Sequence, residues 1–457
     1  MSFRRAAQRT LNLTLVAILY LASAAIRAQE APATTGAAGS VGLAVSGTLH
    51  YDLRYSETSQ IDGPQGSQQQ SVISGDASYA DTSKRYPFSM QYGGGYGWVW
   101  AGSPSAGNVF QSLSLSQGAV WRSWNLSAND SVSYSFQTPT TGFSGVPGTG
   151  EPIGGTGSTK VPDQTILTVN TRSLDNSTTA SLGHRLNQAT TLSFGGSATE
   201  LYFLDNNGQD TNSLAANASL SRRLNAHNSV SGSYSFSRFN FGGTGASQTN
   251  PLQVSYSQAS SLQLGFNRQW NAKISTSGSI GPQWISSSNS ALTPSSVSYS
   301  ANASASEMFK FGNASISYSH GVSGGAGYML GAESDTVSGN FSRAVGKEMT
   351  VGVTGSYMRT SALIAEKMIF DAQGTYYWVP LNITPSTNAR YGGVQATRRL
   401  GRYWNAFANY TVVDQASNEQ VTVANTQWGY QTNILSGLSQ VIGFGIGYSP
   451  RDMHFKR

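Results

Sequence analysis

Val230-Ser231-Gly232-Ser233-Tyr234-Ser235-Phe236 sets apolar or small residues at even positions and serine at every odd one. Successive side chains of a strand point to opposite faces, so this stretch predicts a strand with one apolar face and one hydroxyl face. The same period returns in Val351, Val353, Gly355 and Tyr357, which alternate with Gly352, Thr354 and Ser356. It returns in Ala314, Ile316 and Tyr318, separated by serines. Near the C-terminus Ile442, Phe444, Ile446 and Tyr448 alternate with Gly443, Gly445 and Gly447. A soluble β-sandwich also alternates, so period alone does not decide the class. The polar face does: it is Ser, Thr, Asn and Gly, while the apolar face ends in Tyr or Phe. That combination fits a wet lumen, lipid outside and an aromatic girdle at the interface.

A second repeat punctuates the strands. A basic residue, a large apolar residue and then Asn, Gly or Pro occur together eight times. The instances are Arg85-Tyr86-Pro87, Arg122-Ser123-Trp124-Asn125, Arg185-Leu186-Asn187, Arg223-Leu224-Asn225, Arg268-Gln269-Trp270-Asn271, Lys310-Phe311-Gly312, Arg343-Ala344-Val345-Gly346 and Arg399-Leu400-Gly401. Their apolar members lie 34 to 62 residues apart, the length that two membrane-crossing strands of roughly 10 residues and a loop require. Asn and Gly suit tight turns, so these are read as short periplasmic turns. Eight turns join sixteen strands. A strand around 45–55 precedes them and another around 435–448 follows. The expectation is an all-β, up-and-down antiparallel transmembrane barrel of about 18 strands (16–18), both ends periplasmic.

Composition agrees. Charged residues make up only 11% of the 457 residues, and there is no cysteine, so disulfides and thiolate chemistry are excluded. Residues 1–28 read as a secretory leader: Arg4, Arg5 and Arg9, then apolar Leu11 to Leu21, then small residues with cleavage after Ala25 or Ala28. The apolar run is shorter than the roughly 20 residues of a membrane-spanning helix. Four of the 28 basic residues fall in this leader, which leaves 24 against 22 acidic ones. The basic pI is therefore no signal for nucleic acid. Residues 29–40 read as a short periplasmic segment and 41–457 as the barrel. No long apolar run follows residue 30, and only helices and closed barrels satisfy the backbone in lipid.

Ser221-Arg222-Arg223-Leu224-Asn225, followed by Ser231-Gly232-Ser233-Tyr234-Ser235-Phe236-Ser237-Arg238, resembles the repeating hairpins of bacterial outer-membrane β-barrel porins. Some of these are associated with exopolysaccharide secretion. The resemblance covers nearly all of the mature chain. It implies residence in the outer membrane of a Gram-negative cell, contact with its lipids and lipopolysaccharide, insertion by the barrel assembly machinery, and no cofactor. Such barrels usually end in an aromatic residue. Here Tyr448 ends the last clear strand, yet Ser449 to Arg457 follow. Either the terminal signal is internal or the strand runs further, and Pro450 favours the former because it cannot donate to a ladder.

A barrel of this size leaves an aqueous channel unless something fills it, and the dozen residues before the first strand hold no plug. The expected function is passive diffusion of small hydrophilic solutes. Two alternatives stand: an exopolysaccharide export channel with polysaccharide-export partners, and a structural or adhesive barrel acting through its external loops. The third external loop, 138–162, carries Glu151, Lys160 and, just beyond, Asp163, charges that could line a constriction or decorate a surface loop. The loop 365–386 holds Phe370, Tyr376, Tyr377 and Trp378. They either stack on saccharide rings or pack a short hairpin around Asp371-Ala372-Gln373-Gly374. Arg238 and Arg359 follow Phe236 and Tyr357 on the outward parity, placed either to meet lipopolysaccharide phosphates or to turn inward through a bulge. The histidines (His50, His184, His227, His320, His454) form no metal-ligand cluster. The Gly321-Val322-Ser323-Gly324-Gly325 match to G-x-S-x-G lacks the following helix of a nucleophile elbow. No enzymatic activity is expected.

Overall fold

In the computed structural model the described residues are 47–63, 66–81, 83, 85–101, 108–137, 171–204, 210–242, 256–288, 295–323, 331–363, 366–370, 376–380, 386–417, 421–425, 429–433 and 437–455. The leader and the 29–40 segment lie outside them, as do Glu151, Lys160 and Asp163.

The strands are β1 (Gly47–Gly63), β2 (Gly66–Asp81), β3 (Phe88–Ala101), β4 (Asn108–Val120), β5 (Trp124–Gln137), β6 (Thr171–Arg185), β7 (Thr190–Phe203), β8 (Asp210–Arg223), β9 (Asn228–Gly242), β10 (Tyr256–Gln269), β11 (Ile274–Ser287), β12 (Ser296–Phe309), β13 (Gly312–Ser323), β14 (Ala332–Val345), β15 (Met349–Ala362), β16 (Glu366–Phe370), β17 (Tyr376–Pro380), β18 (Ser386–Arg399), β19 (Trp404–Ser417), β20 (Val421–Asn425), β21 (Gly429–Asn433), β22 (Gly437–Tyr448) and β23 (Met453–Phe455). Consecutive strands pair antiparallel, and β1 pairs with both β2 and β22, which closes the sheet. β16–β17 and β20–β21 are separate hairpins outside the wall. The wall is a closed barrel of 18 strands.

All eight basic–apolar turns fall between paired strands. Three share one mechanism. The Oδ1 of Asn187 accepts from the backbone N–H of Ala189 and Thr190, at 2.9 and 2.8 Å. Asn225 does the same for His227 and Asn228, and Asn271 for Lys273 and Ile274. A side-chain amide thus stands in for a backbone carbonyl and closes the turn. The basic member of the repeat covers an aromatic ring in one of these turns and in one other: Arg268 lies 3.7 Å over Trp270, and Lys310 lies 5.1 Å over Phe311.

The last strand runs further than the sequence suggests. Pro450 interrupts β22, but β23 resumes the ladder on β1, with Leu49, Thr48 and Gly47 opposite Met453, His454 and Phe455. The expectation of an internal end at Tyr448 is corrected accordingly. Proline costs one donor, and a four-residue interruption absorbs it without ending the pairing.

Most of the outward face fits lipid. Leu264 is 73% exposed, Val297 68% and Ile280 61%. A water-facing surface carrying a continuous band of such residues would aggregate. Aromatic pairs mark both edges of the band. Trp124–His184 and Trp404–Tyr448 lie toward the periplasmic turns, and Tyr96–Trp98 and Trp98–Trp100 toward the extracellular ends. A strand of 14 residues tilted by about 40° rises roughly 36 Å, more than the band of about 25 Å it must cross.

Candidate channel

Alternation turns the other face inward, where hydroxyls and amides predominate. Serines opposite one another in the ladder share hydrogen bonds at 2.7 Å: Ser127–Ser181, Ser235–Ser261, Ser275–Ser306, Ser277–Ser304 and Ser317–Ser338. Each hydroxyl can donate and accept, so a serine pair satisfies itself and still offers a lone pair to water. Asn129, Ser181 and Asn217 on β5, β6 and β8 are exposed to the lumen. On the opposite side, inward residues in the extracellular halves of β10, β11, β15, β18 and β19 are buried, among them Ala259, Ile285, Met358, Ala389 and Val413. That part of the wall does not meet lumen water.

Charge inside the barrel is sparse and concentrated. Among the described residues, the charged side chains at inward positions away from the turns are Asp52, Arg54, Asp76 and Asp175. Asp52 stands directly opposite Asp76 in the β1–β2 ladder, an arrangement that repels unless bridged. Arg54 bridges it: its Nη2 lies 3.0 Å from Asp52 Oδ2 and 3.1 Å from Asp76 Oδ1. Arg54 is nearly buried, with a side-chain exposure of 9%. His50 extends the network, with Nδ1 2.7 Å from Asp452 Oδ1 and Nε2 3.2 Å from Asp52 Oδ1. The second contact has ion-pair distance but not hydrogen-bond alignment, since Asp52 Oδ1 has no hydrogen-bond partner. His50 therefore ties the segment after Pro450 to β1. Toward the periplasmic mouth, Arg185, Arg223 and Arg399 occupy inward positions at the strand ends.

Sequence reasoning missed this network, although part of its signal was present. His50, Asp52 and Arg54 are spaced by two and therefore share a face. Asp76 and Asp452 join them only through strand register.

The residues singled out from sequence fall as follows. Arg238 and Arg359 are both outward, in unbroken ladders opposite Leu214 and Gln258, and Asp335 and Asn388, respectively. No bulge turns them in. Arg238 lies 4.0 Å over the Tyr256 ring, and its Nε donates to Asn240 Oδ1 at 3.0 Å. Arg359 is exposed. Phe370 pairs with Tyr376, Ile369 with Tyr377 and Met368 with Trp378 across the β16–β17 hairpin. His320, beside the G-x-S-x-G match, is outward too. Asp335 holds its Nδ1 at 2.8 Å and Glu333 its Nε2 at 3.0 Å, and Tyr299 stacks on its ring at 3.9 Å. It is committed to a lipid-side polar cluster.

No protein-family model and no curated protein matches the chain. Among solved structures it is similar to OccK2 (OpdF) from Pseudomonas aeruginosa in complex with glucuronate, at 11% identity and a TM-score of 0.44, over 89% of this chain and 98% of that one. It is similar to Pseudomonas aeruginosa OpdQ at 11% identity and 0.40, over 88% and 98%. It is also similar to the FrpB iron transporter from Neisseria meningitidis at 9% and 0.42, over 90% and 82%. The closed wall, the exposed apolar belt and the paired girdles define the class independently: an outer-membrane β-barrel of porin architecture. The association with exopolysaccharide secretion finds no support.

Proposed function

We propose that this barrel is a passive diffusion channel for small hydrophilic solutes. One observation carries the reading: along β5 to β8 the inward face presents hydroxyls and amides exposed to the lumen. Such a wall replaces the hydration of a polar solute without binding it tightly, because each group offers one weak, exchangeable hydrogen bond. Asp52, Asp76 and Asp175 outweigh Arg54 by two charges within the barrel, whereas Arg185, Arg223 and Arg399 stand inward at the periplasmic mouth, so only weak charge selectivity is proposed. The exposed Arg359, level with the extracellular girdle residue Tyr357, is proposed to meet lipopolysaccharide phosphates, where a guanidinium binds in bidentate fashion. Liposome swelling with sugars of graded size tests the channel. Swelling that falls smoothly with sugar size is expected, and liposomes that stay impermeable to the smallest sugar would refute it.

A further inference from the structure

Apart from the His320 cluster, a second sector of the outer surface does not suit lipid. Reading along hydrogen-bonded rows from β5 to β9, one row is Asp130, Thr178, Ala198, Leu214 and Arg238. The next row toward the extracellular side is Val132, Asn176, Glu200, Asn212 and Asn240. The row beneath is Ala128, Ala180, Gly196, Ala216 and Phe236. All fifteen positions have the outward parity of Trp124, Phe194, Leu214 and Tyr234, whose side chains are exposed. A patch of carboxylates, amides and a guanidinium thus sits above a row that is small from Ala128 to Ala216 and ends in Phe236. Level with the patch, β10 and β11 add only Gln258 and Ser286, joined by a 2.8 Å hydrogen bond, and below that they offer lipid Leu262, Leu264 and Ile280.

Asp130 is the decisive residue. It lies between Trp124 and Tyr134 on the same strand face, within the belt the girdles bound. Its Oδ1 accepts from Thr178 Oγ1 at 2.6 Å. A polar group at that depth is costly against acyl chains and is ordinarily kept for a partner. No lipopolysaccharide phosphate or sugar reaches it, because those lie at the headgroup level. Above it, Asn212 Nδ2 donates to Glu200 Oε1 at 3.4 Å while Asn212 Oδ1 has no partner. Small residues let two membrane surfaces approach closely, and polar side chains then hydrogen-bond across the contact.

We infer that the β5–β9 face is the contact surface for a second copy of this chain. The patch is self-complementary. Asp130 and Glu200 supply acceptors, and the side-chain N–H groups of Asn176, Asn212 and Arg238 supply donors, so a two-fold apposition sets the acceptors of one copy against the donors of the other. Five strands about 4.8 Å apart across a band of about 25 Å give roughly 600 Å² per copy. About 1,200 Å² in total reaches the lower bound of specific interfaces. The wall and lumen of each copy stay complete, so the pairing does not depend on the channel reading.

The absence of cysteine in the chain makes the test direct. Thr178→Cys and, on the far side of the barrel, Val394→Cys on β18 are each reconstituted as full-length barrels in phospholipid vesicles and oxidised. Folding is checked by heat-modifiable migration on gels. The Thr178→Cys protein is expected to cross-link to a species of twice the chain mass and Val394→Cys to remain single. Asp130→Leu in the Thr178→Cys background should reduce cross-linking at least fivefold while leaving the folded fraction unchanged. Equal cross-linking at the two sites, or none at Thr178, overturns the inference. So does lipopolysaccharide that co-purifies with the wild-type barrel and is lost from Asp130→Leu, because the patch would then be a lipid site.

Discussion

Replacing Arg54 with alanine leaves Asp52 facing Asp76 with nothing between them. Directly opposite residues of an antiparallel pair have Cβ atoms about 5 Å apart. Two unit charges at that distance repel by about 0.8 kcal/mol in bulk water and about 3 kcal/mol at an effective dielectric near 20. The site lies in a wet lumen on a nearly buried pair, so a loss of about 1 to 3 kcal/mol is expected from Arg54→Ala. The permeation effect is separate. Unmasking one further negative charge about 7 Å from the ion path adds about 0.6 kcal/mol of attraction, near RT, and hence about a threefold gain in cation occupancy. Screening at about 1 M salt, with a Debye length of about 3 Å, should erase that gain. The assay is the reversal potential across a planar bilayer under a KCl gradient, in dilute and in concentrated salt, beside thermal unfolding followed by gel mobility. A shift toward cations confined to low salt is expected. An unchanged potential in dilute salt, or a shift toward anions, would refute the placement of this cluster on the ion path.

Three further outcomes bear on assembly. A Cβ on Gly445 would lie 2.3 Å from the Tyr55 backbone oxygen and 2.5 Å from Phe407 Cζ, at the seam where β22 meets β1. Gly445→Val should therefore leave most chains unfolded when refolded in detergent, and a wild-type folded fraction would show that the seam yields. Changing Asn187, Asn225 and Asn271 together to alanine removes six backbone hydrogen bonds. At about 1 kcal/mol per turn, a loss of about 3 kcal/mol is expected in urea titration, and an unchanged midpoint would mean that the strands alone set the turns. Gly346 has a φ of 70°, so Gly346→Ala should cost about 1 to 2 kcal/mol by the same titration, with no change in single-channel conductance.

Much of the barrel is legible in sequence because its forces are local. Period-two alternation assigns every residue to lipid or lumen from neighbours alone, and the basic–apolar–Asn/Gly/Pro repeat locates the turns. The outward parity of Arg238 and Arg359 follows from the same rule. The far end of the chain is less legible: proline cannot donate to a ladder, yet β1 offers enough unpaired backbone for β23 to resume it. Only register could reveal the rest. Whether Asp52 meets Asp76, or Asp130 meets Thr178 and the row of Ala128, Ala180, Gly196 and Ala216, depends on how strands from distant positions slide past one another. Closure of the ring fixes that slide as a whole. The stretch from Val230 to Phe236 thus determines what kind of wall this is. Only the closed barrel determines which charges stand together on either side of it.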